Sequence, residues 1–362
     1  MGLRWQDWPE PVRATLRRGC VVPAHPLALR ADRSFDADRQ KALTRYYIDA
    51  GADGVAVGVH TTQFAIRDVG LYEPVLRIAA ETVNDWADNP RILVAGVTGR
   101  TDQALGEIDI ARGLGYHAAL LNLARLRGSS EDEILEHCRR AAAEMPIIGF
   151  YMQTAVGGIL LDAAFWERFA GIDNAVAIKV APFDRYATLD VLRGVALAGA
   201  EERITLYTGN DDHIVADLLT PFAVRANGRE VVLRFKGGLL GHWSVWTRPA
   251  VDLLARVHAL PDGADVPEDL MALDSIVTDC NGAIYDALHD LRGCIPGCLE
   301  ILRRQGLLEG IWCLDATEAM SPGQMDEIDR VCRQYPEMND DAFVRANLQR
   351  WLADDEATAA GG

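Results

Sequence analysis

The chain has 362 residues, 49% of them hydrophobic and 25% charged, a balance that buries a large core and excludes an intrinsically disordered polymer. Its 36 basic and 53 acidic residues leave a net charge of −17 at pH 7, which repels phosphate backbones and anionic bilayers, so neither nucleic acid nor a membrane is expected as a partner. Seven scattered cysteines (Cys20, Cys138, Cys280, Cys294, Cys298, Cys313 and Cys332) fit free thiols in a reducing compartment, and the opening MGLRWQDWPEPVRATLRRGC lacks the apolar run of a signal peptide, so a cytoplasmic protein is expected.

Residues 1–18 precede the first strand and read as an N-terminal extension. From Gly19 to about His258, short apolar β-branched runs alternate with amphipathic runs of helical period, the signature of parallel βα units. Strands are expected at Cys20–Ala24, Gly54–Val59, Ile92–Val97, Ala118–Leu123, Ile147–Tyr151, Ala175–Lys179, Ile204–Tyr207 and His242–Thr247. The clearest helices between them are Asp36–Ala50, Val69–Trp86, Asp102–Leu114, Glu131–Glu144, Asp162–Phe169 and Thr188–Ala198. Eight such units predict an α/β fold, a closed (β/α)8 TIM barrel over residues 19–262, close to the usual size of about 250 residues. Within it, FAVRANGREVVLRF places Asn227-Gly228 between two alternating segments and predicts an inserted β-hairpin near 222–235, ahead of the eighth strand. Gly237-Gly238 carries neither a Walker nor a Rossmann pattern around it and reads as a tight approach before that strand. Residues 263–352 form an expected helical C-terminal region with breaks near Gly293–Gly297, Gly310 and Ser321–Gly323, and residues 353–362 an expected flexible tail.

Active sites of such barrels lie where the strands end. Strand six ends at Lys179 after Ala-Val-Ala-Ile, and strand five at Tyr151, so an amine and a phenol are expected on neighbouring strands about 4.8 Å apart. Only a neutral lysine attacks a carbonyl, and an apolar lumen disfavours the ammonium by desolvation. A lysine here can also snorkel to solvent or pair with an acid, and a tyrosine here can be a core residue with a satisfied hydroxyl.

These residues carry a resemblance to the dihydrodipicolinate synthase and N-acetylneuraminate lyase family of class I aldolases, spanning about Gly19 to Pro336. VVPAHPLA, AGADGVAVG, LVAGVTGRTDQAL, IIGFYMQTAVGG, NAVAIKVAPFD and ITLYTGNDD follow in the family's order and spacing. The resemblance implies that Lys179 forms a Schiff base with a 2-oxo acid, that Tyr151 relays protons, and that the chain assembles as a homo-oligomer, a dimer or a tetramer. It implies no cofactor, and the eight histidines show no paired spacing of the zinc type, so no metal is expected.

The chain also departs from the family pattern. Where the family carries a threonine pair that holds the substrate carboxylate, this chain has Gly58-Val59-His60-Thr61-Thr62-Gln63; Val59 and His60 take those places without a gap, Thr61 and Thr62 with a shift of two. After the tyrosine come Met152, Gln153 and Thr154, and Val156 fills the place of an arginine that the synthases use. LLNLARL replaces a strand-four tyrosine pair. His60, Thr61, Thr62 and Gln153 are therefore expected to read the substrate's polar groups, with His60 weighed equally as a structural loop residue. Asn210 and Ser244, at later strand ends, are candidate substrate contacts that serve as readily in turns or packing. The expected activity is a lyase or aldolase that makes or breaks a carbon–carbon bond and is not an efficient dihydrodipicolinate synthase; the alternatives are a dehydratase or hydratase-aldolase of the same family, or a barrel that binds a metabolite without turnover.

Overall fold

The computed structural model describes residues 2–353; of the expected tail, residues 354–362 lie outside the described residues. Eight parallel strands form the barrel: β1 (Val21–Pro23), β2 (Gly54–Val57), β3 (Ile92–Val97), β4 (Ala118–Leu121), β5 (Ile147–Met152), β6 (Ala175–Ala181), β7 (Thr205–Thr208) and, after the hairpin β8 (Phe222–Ala226) and β9 (Arg229–Leu233), β10 (Phe235–Leu240). The sheet runs β1-β10-β7-β6-β5-β4-β3-β2, and the parallel bridge between Ala24 and Ala56 closes it. Every barrel strand has helices on one side and the lumen on the other, so β2 to β7 are buried at each position rather than alternating.

The helices are α1 (Glu10–Arg18), α2 (Ala37–Ala50), α3 (Tyr72–Trp86), α4 (Thr101–Gly113), α5 (Glu131–Glu144), α6 (Ala163–Ala170), α7 (Arg185–Leu197), α8 (Ile214–Leu219), α9 (Thr247–His258), α10 (Glu268–Ile284), α11 (Cys294–Arg304), α12 (Gln324–Gln334) and α13 (Asp341–Leu352). Several start where a side chain accepts from an otherwise unpaired amide: Asp36 from Arg39 N at 3.1 Å, Asp162 from Phe165 N at 3.0 Å and Asp184 from Ala187 N at 2.8 Å. Among the described residues no helix is long and apolar enough to cross a membrane.

One expected strand is corrected. His242–Thr247 is not the eighth strand: His242–Ser244 is a 3₁₀ turn and Thr247 opens α9, while FKGGLL forms β10. Gly237 and Gly238 lie inside β10, not before it, and a β-carbon on Gly237 would sit 2.4 Å from the carbonyl oxygen of Cys20. Close backbone approach therefore selects glycine against β propensity, and the aromatic HWSVWT is buried by packing. The hairpin forms as expected, with Asn227 and Gly228 both at positive φ (53° and 73°), the pattern of a type I′ turn.

The terminal segments complete the barrel. Trp8, Val12 and Leu16 share a buried cluster with lumen residues such as Val22, Val94 and Ile148. In the C-terminal region α10 packs on α8 and α12, and α13 on α2, where the Tyr46 hydroxyl donates to Asp340 at 2.7 Å. Gln63, in the loop after β2, accepts from Leu314 N at 2.7 Å and ties that loop to the C-terminal region. Gly297 lies within α11 rather than in a break, and a β-carbon there would meet the carbonyl oxygen of Ile284 at 1.8 Å.

Candidate active site

Lys179 lies near the C-terminal end of β6, in register with Phe150 on β5 and Tyr207 on β7. It is 8% exposed, and its Nζ sits 4.5 Å from the centre of the Phe150 ring. It lines a cavity of about 610 Å³, open mouth included. The wall comes from the strand ends (Phe150, Met152, Ala181, Gly209, Asp211), from the loop after β2 (Val59, His60, Thr61) and from the C-terminal region (Tyr285, Leu291, Cys294). Gly209 is packed against the lysine: a β-carbon there would lie 2.6 Å from Lys179 Cε.

Burial lowers the Lys179 amine to about 8, although nearby Asp211 favours the ammonium. Burial likewise raises the Asp211 carboxyl to about 6, against the pull of Lys179, a hydrogen bond from His242 N 2.9 Å long and the nearby Tyr285 phenol. Both groups are thus shifted toward neutrality, the range in which a side chain exchanges protons in catalysis. His60 is lowered to about 4, by burial first and Lys179 second, so it presents a neutral imidazole at pH 7. The Tyr285 phenol is pushed up by burial and by Asp211, and the Cys294 thiol by its hydrogen bond to Cys298 and by burial. Lys179 is the cation among the described residues lining this cavity.

The structure brings together Lys179, His60, Thr61 and Gln153, and leaves four expected site residues outside the cavity. Tyr151 is the main correction. It faces away from the lumen, packs on Trp166 of α6 with ring centres 5.2 Å apart, and accepts from Leu161 N at 3.2 Å. The lumen positions of β5 belong to Ile148, Phe150 and Met152, because neighbouring strand residues point to opposite faces. The place beside the lysine expected for a phenol is held by Phe150, which has no hydroxyl. Counted from Phe150, the place expected for an arginine falls on Ala155 instead of Val156, and neither carries charge.

Neither alignment of the strand-two loop yields a free hydroxyl pair. Thr61 reaches the cavity but donates to Ala24 O at 2.7 Å; Thr62 donates to His25 O at 2.6 Å and accepts from Gly58 N and Val59 N, fastening the loop. Asn210 is a bracket: its amide donates to Asp217 at 2.8 Å and its oxygen accepts from the amide of Phe183, a residue held at φ 53°. Ser244 donates to Gly241 O at 2.6 Å inside the 3₁₀ turn. Asp211 and Tyr285 escaped sequence reasoning. The signal for Asp211 was its place one residue past Asn210 at a strand end; Tyr285 has no local signal, since tertiary packing delivers it.

No family model matches the chain. A curated relative, the 4-hydroxy-tetrahydrodipicolinate synthase of Bifidobacterium longum (strain DJO10A), is 25% identical over 195 residues, which are 53% of this chain and 60% of the relative. The chain thus matches less than two thirds of that relative's length. Among solved structures, a chloride-inhibited dihydrodipicolinate synthase from Acinetobacter baumannii, complexed with pyruvate, superposes with a TM-score of 0.71 at 15% identity, covering 88% of this chain and 99% of the other. An N-acetylneuraminate lyase from Fusobacterium nucleatum superposes with a TM-score of 0.68 at 15% identity, with coverage of 88% and 99%. The chain therefore has the barrel fold of these enzymes and resembles the dihydrodipicolinate synthase and N-acetylneuraminate lyase family.

Proposed function

We propose that this protein is a Schiff-base-forming lyase or aldolase in which the Lys179 amine attacks the keto carbon of a 2-oxo acid, and that it is a poor dihydrodipicolinate synthase. The observation that carries the reading is a buried strand-six lysine in the barrel mouth, lowered to about 8 by desolvation and next to a carboxyl raised to about 6. An amine near neutrality is nucleophilic, and the imine it forms withdraws electrons from the adjacent carbon, which is the requirement for making or breaking that carbon–carbon bond. The pyruvate complex of the Acinetobacter enzyme on the same fold supports a 2-oxo acid as the first substrate. His60, Thr61 and Gln153 are the residues we assign to the substrate's polar groups; Tyr151, Thr62, Asn210 and Ser244 are left to packing and turns.

Chain composition makes the test clean, because the sequence holds three lysines, Lys41, Lys179 and Lys236. A panel of 2-oxo acids with borohydride, read by intact mass and peptide mapping, is expected to add the substrate mass at Lys179, and Lys179→Ala to lose both adduct and turnover. Labelling at Lys41 or Lys236 with an active Ala variant overturns the assignment. Product analysis separates carbon–carbon cleavage, which yields two carbonyl fragments, from dehydration, which yields one. The assembly we propose is a homo-oligomer of two or four chains, for which Leu160 and Tyr186, 75% and 82% exposed, offer apolar surface; light scattering measures it.

A further inference from the structure

Imine formation needs a group that gives a proton to the departing oxygen and recovers one, and β5 supplies none, since its lumen residue beside Lys179 is Phe150. A phenol enters the same cavity from elsewhere. Tyr285 follows the last residue of α10, is 5% exposed and lines the cavity with Lys179. Its hydroxyl is electrostatically coupled to Asp211, which lines the same cavity and whose Oδ1 accepts from His242 N at 2.9 Å. Room for that hydroxyl exists because position 241 is glycine: a β-carbon there would lie 1.8 Å from Tyr285 Oη. Gly241 has an ordinary helical backbone (φ −66°, ψ −39°), so the constraint is the phenol and not the chain conformation.

We infer that Tyr285 and Asp211 form the proton relay for imine formation at Lys179, taking the part that a strand-five phenol would play. This rests on the reading of Lys179 as the imine-forming amine.

The protons balance without any outside group. Lys179 starts as an ammonium beside the Asp211 carboxylate and passes one proton to it. The neutral nitrogen bonds to the keto carbon, the carbonyl electron pair moves to oxygen, and that oxygen takes the Tyr285 proton while the nitrogen returns one of its own to the phenolate, giving the carbinolamine. Tyr285 then protonates the hydroxyl, the carbon–oxygen bond breaks, water leaves, and Asp211 reprotonates Tyr285. In net, the Lys179 ammonium gives up two protons, one through Asp211 and one to the phenolate, which balance the two that Tyr285 delivers to the departing water; the third stays on the iminium, with the Asp211 carboxylate and the Tyr285 phenol restored.

The distinguishing experiment is rapid-quench borohydride trapping with pyruvate on the full chain, reading the rate and final extent of adduct by intact mass. Tyr285→Phe and Asp211→Asn are each expected to slow adduct formation by about 10²-fold or more while reaching a similar extent, the scale of a lost general acid or base. Gly241→Ala, which leaves both side chains but displaces the phenol, is expected to show the same deficit, with circular dichroism matching the unsubstituted protein. Tyr151→Phe, which removes a hydroxyl outside the cavity, is expected to form adduct at close to the original rate. Adduct at an unchanged rate in Tyr285→Phe, or a slow rate in Tyr151→Phe instead, overturns the relay while leaving the imine reading intact. No adduct in the unsubstituted chain overturns both.

Discussion

At the scale of single residues, desolvation dominates the site. The ammonium of Lys179 and the carboxylate of Asp211 are both destabilised by burial, and their mutual attraction offsets this only in part. The productive state carries one proton between the two groups. Below about pH 6 Asp211 is protonated and cannot receive the lysine's proton; above about pH 8 Lys179 is neutral and the relay has no proton to pass. A bell-shaped profile of kcat/KM with limbs near those values, belonging to the pair, is the expected outcome; a profile that keeps rising past pH 9 would show that the free amine alone suffices. A second expectation concerns Gly209. A methyl group there would collide with Lys179 Cε at 2.6 Å and Ala181 Cβ at 2.8 Å, so Gly209→Ala should lower kcat by about 10²-fold with the fold intact, the cost of misplacing a reacting atom by about an ångström. Tyr151→Phe instead leaves the buried Leu161 amide without its acceptor, an expected loss of about 1–3 kcal/mol in urea unfolding with little change in turnover.

At the scale of elements, two segments outside the eight βα units have separable roles. The hairpin β8–β9 turns at Asn227-Gly228, and its residues do not line the cavity. Gly228→Ala would force a β-carbon into the left-handed region (φ 73°), so a loss of about 1–2 kcal/mol in urea unfolding is expected with imine formation unchanged. The N-terminal segment, Trp8 with α1, instead fills the far end of the lumen. Trp8 is 4% exposed and belongs to the lumen cluster, so Trp8→Ala should cost about 3–5 kcal/mol, measured by the same unfolding curves. A change below 1 kcal/mol would show that the N-terminal segment lies on the barrel without closing it. The hairpin was placed by a local signal, whereas residues 1–18 were read only as an extension. The eighth strand was missed, because FKGGLL carries two glycines, Gly237 packed on the backbone of Cys20 and Gly238 against Leu240 and Trp243, whereas the aromatic run after it imitates a strand.

At the scale of the whole molecule, the C-terminal region joins the barrel to one wall of the site. Tyr285, Leu291 and Cys294 reach the cavity from it, and the wall they complete is largely apolar. A partner aldehyde bearing a carboxylate needs a cationic or well-donated second pocket, and an unmet buried carboxylate costs about 1–3 kcal/mol or more. Lys179 is committed to the imine, His60 is neutral at pH 7, and Ala155 and Val156 carry no charge. Assayed with pyruvate, aspartate semialdehyde is therefore expected to give a lower specificity constant than larger or less acidic aldehydes in an aryl, aliphatic and sugar-derived panel. Should aspartate semialdehyde exceed every other partner, the pocket argument is wrong.

Sequence alone determined the count of βα units, the hairpin and the position of Lys179, because each is written in local chemistry: hydrophobic period, turn residues with positive φ, and a lone amine ending an apolar run. It could not determine which face of β5 looks inward. A barrel strand is buried on both sides, so the alternation that reports facing in a half-exposed strand is absent, and a shift of one residue exchanges Tyr151 for Phe150. Hydroxyl partners were equally hidden: Thr61 and Thr62 look like ligand donors until the carbonyls of Ala24 and His25 are seen to take their protons. Tertiary structure alone decided that Tyr285 stands beside Asp211 and Lys179, since the contact joins a helix of the C-terminal region to the ends of β6 and β7, and no local pattern encodes a meeting of segments so far apart in the chain.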